Sequence, residues 1–157
     1  MKLPRSIKKA AFTLAETMVA LGLFGIAAAS SVTALIRMNN NAALSRLQTG
    51  ASTVAQNRID LILSDMPFNP QKGQVPPQLA LGTRIEGTPA APVVPVYTDP
   101  ASGEVVVRGW LTSTIANTNT TAGSTALNIY QATVTVNYRY RGRIYSVVME
   151  TMRCPDI

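Results

Sequence analysis

One acidic residue, Glu16, stands inside an otherwise apolar stretch at residues 11–36, and from Thr17 to Ile36 no side chain carries a charge. A carboxylate at such a depth costs about 2.5–3.5 kcal/mol on insertion scales, so its presence points to a partner or a function. Arg139, Arg141 and Arg143 form a second constellation whose chemistry would be phosphate binding, with Tyr138, Tyr140 and Tyr145 as stacking surfaces. A solvated hairpin end that discourages edge pairing accounts for the same arginines, and two of the tyrosines fit a core face. A third set, Asp99-x-x-Ser102-x-Glu104, offers oxygen ligands. Pro100 and Gly103 already explain it as a turn, and too few carboxylates converge to fill the six or more positions calcium takes. Neither a metal nor a cofactor is expected.

The sequence has no histidine and a single cysteine, Cys154. Ser-His-Asp and Cys-His nucleophile sites and His-containing zinc sites are thereby excluded, and so is an internal disulfide. Cys154 is read as an idle thiol, with pairing to another subunit as the alternative. Asn119-Thr120-Thr121 matches the glycosylation pattern, which is frequent by chance. Trp110 is read as a strand residue covering a small core. No polar constellation for catalysis stands out, and the chain is not expected to be an enzyme.

The elements behind these residues follow from periodicity. Residues 1–11 are a basic, proline-containing segment of the kind that targets a chain rather than folding with it. Four of the 14 Lys and Arg lie there, leaving ten against eight Asp and Glu, so the pI of 9.9 is mostly a property of the leader. Residues 12–36 form an apolar run long enough to cross a hydrocarbon layer of about 30 Å at about 1.5 Å per residue. Basic residues next to a first hydrophobic segment stay cytoplasmic, which places the chain from Arg37 onward outside the cytoplasm.

After Ala11 no proline occurs before Pro67, so one helix is predicted over 12–66. Gly22, Gly25 and Gly50 weaken it by about 1 kcal/mol each relative to alanine. Over residues 37–66 the helix becomes amphipathic. Leu44, Leu47, Ala51, Val54 and Leu61 recur at helical spacing, and Ala55, Ile59 and Ile62 widen the stripe. Arg58 falls on that stripe, its stem available for packing.

Residues 67–157 read as a β domain. Most of 67–104 is Pro/Gly-rich loop with a short extended piece near 93–97; 104–111 reads as a strand and 112–125 as a Ser/Thr/Asn loop. The clearest β signal is last. A two-residue turn at Arg141-Gly142 pairs Tyr140 with Arg143, Tyr138 with Tyr145, Val136 with Val147 and Val134 with Met149, all toward one face. Strands are therefore predicted near 104–111, 128–140 and 143–153.

Ala11, Phe12, Thr13, Leu14 and Glu16, following a basic leader, resemble the type IV pilin and pseudopilin N-terminal signature. The continuation Val19-Ala-Leu-x-x-Phe24-x-Ile26 is more similar to minor pilins and minor type II secretion pseudopilins. The resemblance covers about the first 30 residues; the remainder matches in architecture alone. It implies cleavage between Ala11 and Phe12 by a prepilin peptidase, N-methylation of Phe12, and stacking of apolar helices into a filament. It also implies that Glu16 meets the N-terminal amine of a neighbouring subunit and sets the axial register. Three features depart from major pilins: Ala11 where glycine is usual, Thr33 where many carry a helix-bending proline, and the lack of paired C-terminal cysteines. They point to a minor subunit.

The expectation is an α+β chain with a pilin-like fold, a long helix whose outer half is covered by a small antiparallel sheet. Its function would be structural, in an envelope-spanning filament for secretion, pilus assembly or DNA uptake. The expected partners are other subunits, the prepilin peptidase and methyltransferase, the inner membrane, and cargo or DNA. Two alternatives stay open. One is a ligand- or DNA-binding minor pilin using the Arg139–Arg143 tip. The other is a secreted or anchored protein with an ordinary signal segment, in which Ala27-Ala28-Ala29 would provide a cut before Ser30.

Overall fold

In a computed structural model of the chain, residues 13–122 and 125–156 are described. Helix α1 spans Leu14–Ser64 and is followed by two short 3-10 turns, Pro70–Lys72 and Pro77–Leu79. Five strands complete the chain: β1 Gly82–Glu86, β2 Val94–Thr98, β3 Val105–Ala122, β4 Thr125–Tyr140 and β5 Arg143–Arg153. They form one antiparallel sheet in the order β1-β3-β4-β5, with β2 pairing the first part of β3 and β1 the part after it. The architecture is α+β, one long helix and an antiparallel sheet, as the sequence predicts.

The chain divides into two compact units, between Ala42 and Ala43. In the first, the helical residues 14–42 bury nothing; even Leu21, Phe24 and Leu35 are 71%, 73% and 66% exposed. The second unit carries the core. Leu47, Ala51, Ala55, Ile59 and Ile62 of α1 pack on Val94, Val96, Leu111, Ile115, Ala132, Val134, Val136 and Tyr138. Those helix positions centre about 60° round the axis from Leu47, at about 100° per residue, which leaves Leu61 about 100° from the centre. Leu61 is accordingly 53% exposed, a correction to the predicted stripe.

Small residues let the sheet approach the helix closely. A Cβ placed on Gly50 would lie 2.0 Å from the carbonyl oxygen of Val96 in β2. Gly50, read from sequence as a weak point in the helix, is therefore the residue that lets β2 sit against it.

The last hairpin has the predicted register: Tyr140–Arg143, Tyr138–Tyr145, Val136–Val147 and Val134–Met149, turning at Arg141 and Gly142, both with positive φ. Tyr138 and Tyr145 stack with centroids 5.6 Å apart. Burial raises the Tyr138 hydroxyl pKa above its ordinary value, with a smaller push from Tyr145.

Other predictions fail as well. Residues 112–122, expected as loop, continue β3, and β4 begins at Thr125. Loop-like composition misled here: Thr is also a strand former, and Ser113 and Ile115 alternate inward to burial. Strand β1, inside the segment expected to be mostly loop, was not predicted at all. Asn119 and its two threonines fall in the extended β3 backbone, not in the expected loop. Trp110 is a buried strand residue, but its even position puts it beside Asn137 on the sheet face away from the helix.

Candidate functional site: the uncovered helix and the sheet ends

The uncovered half of α1 begins at a reciprocal cap. The Thr13 carbonyl accepts the first helical bond from Thr17 N–H at 3.2 Å. The Thr13 backbone N–H and hydroxyl both donate to Glu16 Oε2 at 3.2 Å, and Glu16 N–H donates to Thr13 Oγ1 at 3.3 Å. This is a capping box, which satisfies two N-terminal donors at once. The pattern Thr-x-x-Glu before an apolar run is the sequence signature of such a cap. Ala11 and Phe12, the expected cleavage pair, lie outside the described residues.

Further along, every hydroxyl placed in the apolar run bonds back to its own helix. Thr17 donates to Leu14 O at 2.8 Å, Ser30 to Ile26 O at 2.8 Å, Ser31 to Ala27 O and Thr33 to Ala29 O at 2.9 Å. No partner outside the helix is needed for these groups, the condition an apolar surrounding imposes. The helix is long and apolar enough to cross a membrane, a test that a signal sequence near the N-terminus also passes. Thr33 lies within the unbroken helix Leu14–Ser64.

In the second unit the three hairpin arginines are exposed, but the register does not bring them together. Arg139 faces the outer side of the sheet and Arg143 the helix side, while Arg141 occupies the turn and lies over the Tyr140 ring at 5.5 Å. Two arginines on opposite faces do not form one phosphate cradle. Tyr138 is buried and Tyr145 half-buried in the core, so neither offers a free ring face for a base.

Asp99 is consumed by its turn. Oδ1 accepts from Ala101 N–H at 3.1 Å and Oδ2 from the Ser102 hydroxyl at 2.9 Å. The first bond, then the second, hold its carboxyl below the ordinary aspartate value. Among the described residues no three His, Cys, Asp or Glu side chains gather as metal ligands. A cavity of about 160 Å³ is lined by Ala43, Leu47, Tyr97, Val106, Val107 and Tyr140, with Arg46 as its one charge.

One residue with a large role was overlooked in the sequence. Arg153, 6% exposed, ends β5 and closes the C-terminus of α1. Its Nη1 donates to Ile62 O at 2.7 Å and Asp65 O at 2.6 Å, and Nη2 meets Asp156 Oδ2 at 3.3 Å. A cation there satisfies orphan carbonyls and suits the negative helix end. Asp156 returns the tie, accepting from Phe68 N–H at 2.7 Å and donating its own N–H to Phe68 O at 2.7 Å. The guanidinium also lies 5.2 Å from the centre of the Phe68 ring. A lone arginine at a strand end signals none of this; only the distant helix end gives it meaning. Arg58, on the helix, pairs with Glu86 of β1 and reaches Gln78 at 3.5 Å. Cys154 is exposed and unpaired.

Comparison of the chain with protein-family models, with curated proteins and with solved structures returned no match.

Proposed function

We propose that this chain is a structural, non-catalytic subunit of a type IV pilin-like or type II secretion filament, of the minor pilin or pseudopilin kind. In this reading it is processed between Ala11 and Phe12, methylated on Phe12, and held in the inner membrane before assembly, with residues 37–157 on the far side. The observation that carries the reading is the uncovered half of α1. It exposes Leu21, Phe24 and Leu35, satisfies its hydroxyls internally, and holds one carboxylate at its start. Such a surface is costly in water, and either lipid or like helices relieve that cost.

Glu16 is then the register key. Its bonds to Thr13 solvate one carboxylate oxygen but leave the charge, and a buried charge requires a cation. The free amine of Phe12 in a neighbouring subunit supplies that cation at only certain axial offsets. Gly22, Gly25 and Ala27–Ala29 are small enough for helices to approach closely.

Mass spectrometry of the membrane-purified protein tests processing. A methylated Phe12 terminus is expected, and a chain beginning at Ser30 would sink the proposal. Glu16→Ala tests the key: normal processing with assembly lost by more than about tenfold is expected if a bond to a charged group, about 1.5–3 kcal/mol, is removed at each subunit junction. Unimpaired assembly would remove Glu16 from this role.

A further inference from the structure

The two edges of the sheet differ, and they match each other. On one side β2 carries Pro95 and an irregular register around it, while β1 is a plain five-residue strand. On the other side β5 runs eleven residues with no proline or bulge and with one acid, Glu150, between its terminal arginines. Edges of that length are normally blunted.

Hydrogen-bond parity shows what the edges offer. The two-residue turn makes Tyr140–Arg143 a bonded pair, so the odd residues of β5 bond to β4. The even ones, Ile144, Ser146, Val148, Glu150 and Met152, turn both N–H and C=O outward. Carried across β4 and β3 by the observed pairings, the same alternation leaves Thr83 and Ile85 of β1 turned outward. Among the described residues no backbone hydrogen bond outside the sheet involves residues 82–86 or 144–152.

We propose that the β5 edge of one chain receives the β1 edge of a second copy lying beside it in the same orientation. The sheet is four strands wide, so its two edges run antiparallel, and an unrotated copy extends the antiparallel pattern. At equal level Ile115 and Ala132 connect Gly82 to Thr151, and Leu111 and Val136 connect Glu86 to Val147. The junction then pairs Val148 with Ile85, 55% and 64% exposed, on the outer face. Glu150 meets the Thr83 hydroxyl, and Ile144 packs over Pro95, whose missing N–H confines the ladder to β1. A head-to-tail contact of this kind does not close on itself and propagates as a row. A two-fold β5–β5 pair would instead reverse the helices of the two copies, since rotation about the sheet normal inverts every in-plane direction. Parallel outer half-helices are what a filament needs, and in this respect the inference rests on the function proposed above.

The test uses the full chain in native membranes, with Cys154→Ser as background. Ile85→Cys and Val148→Cys are expressed together as separate chains with different tags and treated with a short bis-maleimide; opposed Cβ atoms would be about 5 Å apart. A mixed 85–148 conjugate is expected, and the double-cysteine chain should give a ladder of multimers. A 148–148 conjugate alone, or no conjugate, overturns the inference. Thr83→Cys with Glu150→Cys should conjugate in the same way and lose the product when Val148→Pro is added. That proline removes an outward N–H and leaves the β4 ladder whole; Val148→Lys is the second variant, with thermal unfolding of both matching the parent. Conjugation that persists in both folded variants overturns the inference. Glu16-dependent assembly without the 85–148 product would refute this contact alone, whereas the product on chains starting at Ser30 would refute the filament reading alone.

Discussion

Leu35 and Leu47 lie twelve residues apart on the same helix, the first 66% exposed and the second 4%. Glycines divide the same way. A Cβ on Gly22 or Gly25 would meet nothing within 4 Å, whereas one on Gly50 would strike the backbone of β2. Residues 43–64 have found their cover in the sheet of the same chain. Residues 14–42 carry a richer apolar surface with no cover supplied by this chain among the described residues. The difference teaches that two kinds of apolar helix are joined here: one patterned for a partner on one side, the other uniform enough to be surrounded.

The largest break in that contrast comes from leucine truncation. Leu47→Ala removes a core anchor and should cost about 3–4 kcal/mol, read as a lower unfolding midpoint by the near-ultraviolet signal of Trp110 in detergent. Leu35→Ala should leave that midpoint unchanged and weaken assembly instead. Equal effects on unfolding would mean the two halves are not distinct. The glycines sharpen the point. Gly50→Ala forces a side chain against a carbonyl that cannot rotate away, a loss of about 3 kcal/mol. Gly25→Ala should leave the unfolding midpoint of the sheet where it is, because its helix half lacks any contact that the methyl would disturb. In assembled material the same substitution should weaken association where neighbouring helices approach closely.

How far the sequence carried these conclusions depends on range. The β4–β5 hairpin was legible to the residue because two alternations meet at one turn, and a slip of one position would turn Val134, Val136 and Tyr138 outward. The amphipathic stripe was legible too, apart from Leu61, where the width of the covered arc decided. Residues 112–122 were misread because Thr and Asn serve loops and strands alike, and pairing with residues 125–135 settles the matter. The value of Gly50 and of Arg153 was invisible for a stronger reason. Each is defined by a backbone atom far away in sequence, Val96 O for one and Ile62 O for the other.

Arg153 offers the next test. Arg153→Met keeps most of the apolar stem but leaves Ile62 O and Asp65 O without this donor and Asp156 with Phe68 N–H alone, a cost of about 2 kcal/mol. Unfolding midpoint and exchange of amide protons in the last turn of α1 should both respond. The uncovered half, whose start is capped separately by Thr13 and Glu16, should keep its protection. Loss of protection in both halves would show that the helix frays as one unit.

The smallest effect is expected at Asp99, in a loop of the sheet unit. The Ala101 N–H and the Ser102 hydroxyl favour its charged form, so its folded pKa lies below the unfolded value. The sign follows from linkage: a depressed carboxyl contributes stability above the unfolded pKa, near 3.9, and loses it as pH falls through the lower folded value. Mild acid, above pH 5, should therefore leave the turn intact. Carboxyl resonances followed by NMR should give Asp99 a midpoint below that of a free aspartate, and Ser102→Ala should raise it toward that value. A midpoint already at the free value in the parent chain would mean the turn bonds are not held in solution. Asp99 belongs to the covered unit, so a change in its midpoint on Ser102→Ala reports on that unit and not on residues 14–42.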